Sequence, residues 1–254
     1  MSKIKLVVFD MDGTLLKPRS CWAQIHEHFG TDNRDLLKLY VEHKISDQEF
    51  VRADVKTWEE TSDVKVDEEY VNAILDKIEP IDGAEELVAG LHKNGIETIF
   101  LTGGIQFLAD KWARQWNMKK PLANDLIDGE DGHLMVNVRA SGQAKGPVMD
   151  QLLENMGLDK ENVAAVGDTV VDLPMFERAG LSIAVNTNQK DVFENADYHH
   201  NGDLRELIKI ISEWEEVLIQ WTTIIRHASL QEYNNFSRHD FCSGVYRDYK
   251  CRRD

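Results

Sequence analysis

Residues 4–9 form a nearly continuous run of apolar, mostly branched side chains that stops at an acid-rich turn, Asp10-Met11-Asp12-Gly13-Thr14. A run without polar alternation suits a strand covered on both faces, the situation at the centre of a parallel sheet. Residues 96–101, 163–166 and 181–185 follow the same plan, and amphipathic helical spacings separate them at 83–92, 105–116, 146–156, 173–179 and 190–196. Strand and helix in alternation predict an α/β fold built on a Rossmann-like, doubly wound parallel sheet. Residues 122–138 read as a short-stranded excursion turning at 129–132, and 204–218 as a closing helix.

Between the first strand and this alternating region the pattern changes. Trp22, Ile25 and Phe29, then Leu36, Leu37 and Tyr40, then Phe50, Val51, Val55 and Trp58 recur at helical spacing. Ser46-Asp47-Gln48-Glu49 fits a helix start with a capping box, and Asp67-Glu68-Glu69 an acidic first turn. The expected organisation is a core domain of residues 1–16 and 79–211, a helical cap domain of 17–78 inserted after the first strand, and a C-terminal extension of 212–254 with no readable role. The aromatic residues of the insertion, Trp22, Phe29, Tyr40, Phe50 and Trp58, are expected to pack rather than to bind.

Charge narrows the partners. With 29 basic against 45 acidic side chains the net charge is −16, which repels phosphate backbones and anionic lipid, so neither nucleic acid nor a membrane is expected as a partner. No segment approaches the ~18–20 apolar residues of a membrane-spanning helix. Cys21, Cys242 and Cys251 make neither an even disulfide framework nor a CxxC pattern, which points to reduced thiols and a cytoplasmic setting. Nothing in the pattern fixes an oligomeric state.

The chemistry-bearing residues fall at the carboxyl ends of the predicted strands, where open α/β sheets bind ligands. The first strand ends in Asp10 and Asp12, the second in Thr102-Gly103-Gly104, and the third in Gly167-Asp168-Thr169, with Asp172 in the next turn. Several carboxylates facing one point repel each other unless a cation neutralises them, and a hard divalent ion such as Mg²⁺ suits oxygen ligands. Thr102-Gly103-Gly104 would add a hydroxyl and open backbone N–H groups at a helix start, and Lys145 an ammonium at another. A calcium loop beginning at Asp10 is excluded because its twelfth position, which must be Glu, is Cys21.

Phe9-Asp10-Met11-Asp12-Gly13-Thr14, Leu101-Thr102-Gly103-Gly104, Lys145 and Gly167-Asp168-Thr169-Val170-Val171-Asp172, in this order, closely resemble the four signature motifs of the haloacid dehalogenase-like phosphohydrolases. The likeness runs from about residue 3 to about residue 211 and, with its early insertion, looks most like the phosphoserine phosphatase branch. That resemblance implies a Mg²⁺-dependent phosphomonoesterase acting on a small soluble phosphorylated metabolite. Asp10 would be the nucleophile forming an aspartyl-phosphate, and Asp12 the general acid and base. Asp10, the main-chain carbonyl of Asp12, and Asp168 would hold the metal. Thr102, Gly103 and Lys145 would hold the phosphoryl group, and Asp172 would orient Lys145 or a metal-bound water. A phosphotransferase using the same intermediate, and a non-catalytic protein that binds a phosphometabolite, are the alternatives.

Three positions depart from the branch. Arg19 stands where it has a Glu for the substrate amine, and Val171 where it has Asn. Asp54 stands where the cap has an Arg for the substrate carboxylate, with Arg52 two residues earlier. These swaps predict a substrate other than phosphoserine, with Arg19 and Arg52 as candidate specificity residues.

Overall fold

The computed structural model describes residues 4–214, except residue 131 and the side chain of Gln143. Its first strand, β1 (Leu6–Phe9), is wholly buried. Helices α1 (Cys21–Phe29), α2 (Arg34–Val41), α3 (Asp47–Thr61) and α4 (Glu68–Leu75) follow. Next come α5 (Ala84–Lys93), β2 (Glu97–Ile105), α6 (Gln106–Gln115) and the hairpin of β3 (Leu122–Asp128) with β4 (Leu134–Asn137). The chain continues through α7 (Lys145–Met156), β5 (Val163–Gly167), α8 (Leu173–Phe176) and β6 (Leu181–Val185). It closes with α9 (Lys190–Asn195), β7 (Tyr198–His200) and α10 (Leu207–Ser212).

Among the described residues the strands form one seven-stranded sheet in the order β4-β3-β2-β1-β5-β6-β7. Every neighbouring pair is parallel except β3 with β4, as the α/β reading anticipated. The chain runs outward from β1 in both directions, to β2 on one side and β5 on the other. Because side chains alternate along a strand, Val7 and Phe9 join one apolar cluster with Leu87, Leu91 and Phe100, while Leu6 and Val8 join another with Met149 and Phe176. Both faces of β1 are therefore covered, which is why its sequence lacks polar alternation. Full burial of each such side chain is worth about 1.5–3 kcal/mol.

Local signals explain the helices before the second strand. In α3, Ser46 Oγ accepts from Glu49 N at 3.2 Å while Glu49 Oε2 accepts from Ser46 N at 2.8 Å, a reciprocal cap. Val51, Val55 and Trp58 then make its buried stripe. The chain leaves for these helices and returns at one place. Leu16 bridges Pro80 antiparallel, Lys17 N donates to Glu79 O at 3.0 Å, and Ile81 N donates to Leu15 O at 2.9 Å.

Some expectations need correction. The second strand continues through Ile105, with a register shift after Leu101, so Thr102-Gly103-Gly104 lies in a strand end rather than at a helix start. β7 was not anticipated, because Tyr198-His199-His200 is too short and too polar to carry an apolar signal. The closing helix is shorter, a 3₁₀ turn at Leu204–Glu206 leading into α10; the rest of the 204–218 expectation, and nearly all of the 212–254 extension, lie outside the described residues. No helix among the described residues is long and apolar enough to cross a membrane.

Candidate active site

The site forms where connections leave β1 and β5 in opposite directions. Phe9 is in register with Val166, and Asp10 N donates to Val166 O at 2.9 Å, which sets Asp10 beside the turn that carries Asp168. Two glycines allow the close approach. Gly13 has φ +73°, and a side chain there would collide with the Asp168 carboxylate; one at Gly167 would collide with Asp172.

Lys145, the first residue of α7, is buried with its ammonium between two carboxylates, 2.7 Å from Asp10 Oδ1 and 2.6 Å from Asp172 Oδ1. Asp172 Oδ2 in turn accepts from the main-chain N–H groups of Asp168 and Thr169, each at 3.0 Å. Thr14 Oγ1 donates to Asp168 Oδ1 at 3.2 Å. Sequence reasoning missed Thr14, although its place in the Asp-Gly-Thr turn was visible.

Burial pushes the Asp10 pKa up to about 7; the Lys145 charge opposes this, and Asp172 and Asp12 add to it. Burial, then the charges of Asp10 and Asp172, push Asp168 up to about 8. For Lys145, burial favours losing the proton, but the two carboxylates outweigh it and hold its pKa above the ordinary value. One lysine thus faces an excess of carboxylates.

Asp10, Asp168 and Asp172 offer oxygens within 4.8 Å of one another, a group that could hold a metal ion. Buried oxygens Oδ1 of Asp12 and Oδ2 of Asp168 have no hydrogen-bond donor. Underdonated oxygen ligands and surplus negative charge fit a hard divalent cation. The grouping brings in Asp172 by its carboxylate, whereas Asp12 turns its carboxylate elsewhere: Oδ2 accepts from Cys21 N, at the start of α1, at 2.7 Å. Burial pushes the Asp12 pKa up, and the Cys21 thiol, buried beside it, is pushed well above its ordinary value.

Those shifts have a consequence for stability. The folded state keeps protons on Asp10 and Asp168 that the unfolded chain releases above pH 3.8, so metal-free stability should fall as pH rises from about 4 to about 8. Bound Mg²⁺ should oppose this loss. Thermal melts at a series of pH values, with chelator and with Mg²⁺, check it; equal pH slopes in the two conditions would contradict the expectation.

The model of the haloacid dehalogenase-like hydrolase family matches residues 4–180. The chain belongs to that family. This haloacid dehalogenase-like protein is 29% identical over 215 residues to the phosphoserine phosphatase of Methanocaldococcus jannaschii, covering 82% of this chain and 98% of the relative. A solved structure of a substrate-bound phosphoserine phosphatase complex is 28% identical, with a TM-score of 0.69 over 83% of this chain and 100% of that one. Another, described as a phospho-aspartyl intermediate analogue of phosphoserine phosphatase, is also 28% identical, with a TM-score of 0.69 over 82% and 99%. The protein is a phosphatase of the phosphoserine phosphatase-like branch of the family.

Against that branch, the remaining candidates separate. Thr102 is buried, and its Oγ1 accepts from Gly104 N at 3.0 Å. Arg19 reaches the rim of the haloacid dehalogenase-like site: Nη2 donates to Asn186 O at 3.2 Å and Nη1 lies 3.9 Å from Asp168 Oδ2. Arg52 is exposed on α3, and no described contact ties it to Asp10, Lys145 or Gly103. Asp54 corrects an expectation. It is fully buried, accepts from Asn33 Nδ2 on both oxygens at 3.1 Å, and lies 3.1 Å from His26 Nε2. A carboxylate satisfied inside the helical segment does not confront a substrate, so Asp54 no longer argues against phosphoserine.

Proposed function

We propose that the protein is a Mg²⁺-dependent phosphomonoesterase working through an aspartyl-phosphate. The observation that carries this reading is the buried ammonium of Lys145 shared by Asp10 and Asp172 at the end of β1, beside Asp168. Asp10 attacks phosphorus through a carboxylate oxygen while Asp12 gives its proton to the departing alcohol oxygen. Asp12 then takes a proton from water, whose oxygen attacks the same phosphorus; inorganic phosphate leaves and the Asp10 carboxylate is restored. Asp10 must react ionised and Asp12 must begin protonated: the Lys145 ammonium opposes the burial that raises Asp10, while burial raises Asp12 against the opposing hydrogen bond from Cys21 N.

Thr102, Gly103 and Lys145 would bind the phosphoryl oxygens, with Asp172 steering Lys145. Asp10, the main-chain carbonyl of Asp12, and Asp168 would hold Mg²⁺, which when bound neutralises the carboxylates and polarises the phosphoryl group. Residues 17–78 would act as a cap over the core of 1–16 and 79–211. Trp22 of α1 reaches the Gly103 carbonyl, and a cavity of about 620 Å³ opens where Tyr40, Ile45 and Asp47 face Gly142, Val170 and Leu173. Space of that size suits a small soluble substrate.

Phosphoserine, the compound in the relatives' names, is the first candidate substrate. A second reading rests on Arg19, whose guanidinium at the rim favours a phosphorylated acid without an amine. Phosphate release from O-phosphoserine, a phosphorylated hydroxy acid, a sugar phosphate and an aryl phosphate, each with Mg²⁺, tests the proposal. Hydrolysis of at least one is expected, and kcat/KM ranks the two readings. Hydrolysis of none would overturn the function.

A further inference from the structure

β2 and β3 lose register at one place. Leu101 pairs with Leu122 and Ile105 with Asn124, so four steps along β2 oppose two along β3 and Thr102-Gly103-Gly104 bows out of the ladder. Such a bow re-aims main-chain groups and takes them from their strand partners, so something else must satisfy them. Side chains do so at the Gly103 carbonyl. Asn124 Nδ2 donates to it at 2.9 Å and Trp22 Nε1 at 3.0 Å.

Asn124 is fully buried, and the rest of its amide is equally committed. Nδ2 also donates to Ser141 Oγ at 2.6 Å, while Oδ1 accepts from Arg139 N at 2.8 Å and Ala140 N at 3.1 Å. All four of its hydrogen-bonding places are filled. The segment it grips, 139–141, runs directly into Lys145 at the start of α7. One side chain therefore ties the bowed end of β2 to the approach to the buried lysine.

We infer that Asn124, seconded by Trp22, is the positioning residue of the phosphoryl subsite, fixing the Gly103 main chain relative to Lys145 Nζ. The inference rests on the reading of Thr102, Gly103 and Lys145 as the groups that bind phosphate. Glycine has the most backbone freedom to lose, so a phosphate-binding glycine needs an external anchor. Misplacement by about 1 Å at such a site costs about 10²-fold in rate. Trp22 adds a donor from the helical segment, and its stacking on Trp58, with centroids 5.7 Å apart, holds its indole in place.

The test is the affinity for inorganic phosphate, measured by calorimetry with Mg²⁺ present, of the wild type and of Asn124→Ala, Trp22→Phe and Arg139→Ala. Arg139 binds the same layer, donating to Ala123 O at 3.0 Å and Gln106 Oε1 at 2.9 Å, but its side chain does not hold Gly103, so it controls for general loosening. Phosphate Kd should rise about tenfold or more in Asn124→Ala and severalfold in Trp22→Phe, and stay within about twofold in Arg139→Ala. KM for an aryl phosphate should rise with it, more than kcat falls. The assignment is overturned if Asn124→Ala and Trp22→Phe both bind phosphate like the wild type, or if Arg139→Ala weakens it as much. Should Asn124→Ala not fold, Trp22→Phe decides alone, since it takes a donor from the same carbonyl and keeps an aromatic ring against Trp58. Wild type that shows this binding pattern yet hydrolyses no ester overturns the proposed function and upholds the positioning role; wild type that binds no phosphate overturns both.

Discussion

Asp10→Asn should cut turnover by at least about 10⁴-fold while leaving the fold intact. The amide has the shape of the carboxylate but is a poor nucleophile, so no covalent intermediate forms. Stability should hold because Lys145 keeps Asp172 at 2.6 Å, and one charge fewer eases the repulsion that raises Asp168. Initial rates on the best substrate of the panel, with Mg²⁺, read the first quantity and thermal melts the second. Turnover within about tenfold of wild type would remove Asp10 from its role as nucleophile.

Lys145→Met should act on both activity and stability. Methionine fills similar space but supplies no charge, leaving Asp10 and Asp172 buried without their cation. Removing one partner of a buried ion pair costs about 3–5 kcal/mol, and here two carboxylates share that partner. Part of the loss should return at lower pH, where protonation removes the charge of Asp10, and part on adding Mg²⁺. Urea unfolding near neutral pH and near pH 5, with and without Mg²⁺, measures it. A loss below about 1 kcal/mol at neutral pH would mean that the ammonium is not the counter-charge it appears in the geometry. Lys145→Arg should not rescue the variant, because a planar guanidinium does not fit a fully buried point between two carboxylates.

The sheet was legible because β1, β5 and β6 are covered on both faces and so are written in apolar runs that only Ser182 of β6 interrupts. The acids were legible because they sit at the first polar step after such runs. What escaped depended on distant pairing. Asn124 is one polar residue in β3, a segment where Asn is usually disfavoured, and sequence shows neither its burial nor the Gly103 carbonyl it meets. The bow at Thr102 is set by the register against β3 and leaves no local mark. Asp54 was misjudged for a related reason: alignment gives a position along α3 but not the direction of the side chain, and Asn33 and His26 draw it inward.

The paired crossing at Leu16 and Pro80 has a wider consequence. Outgoing and incoming chain lie side by side, laced by main-chain bonds from Lys17 to Glu79 and from Ile81 to Leu15, so the chain enters and leaves the helical segment through a short two-stranded stalk. Whatever grows from that stalk can be lengthened, shortened or exchanged without rethreading a single strand.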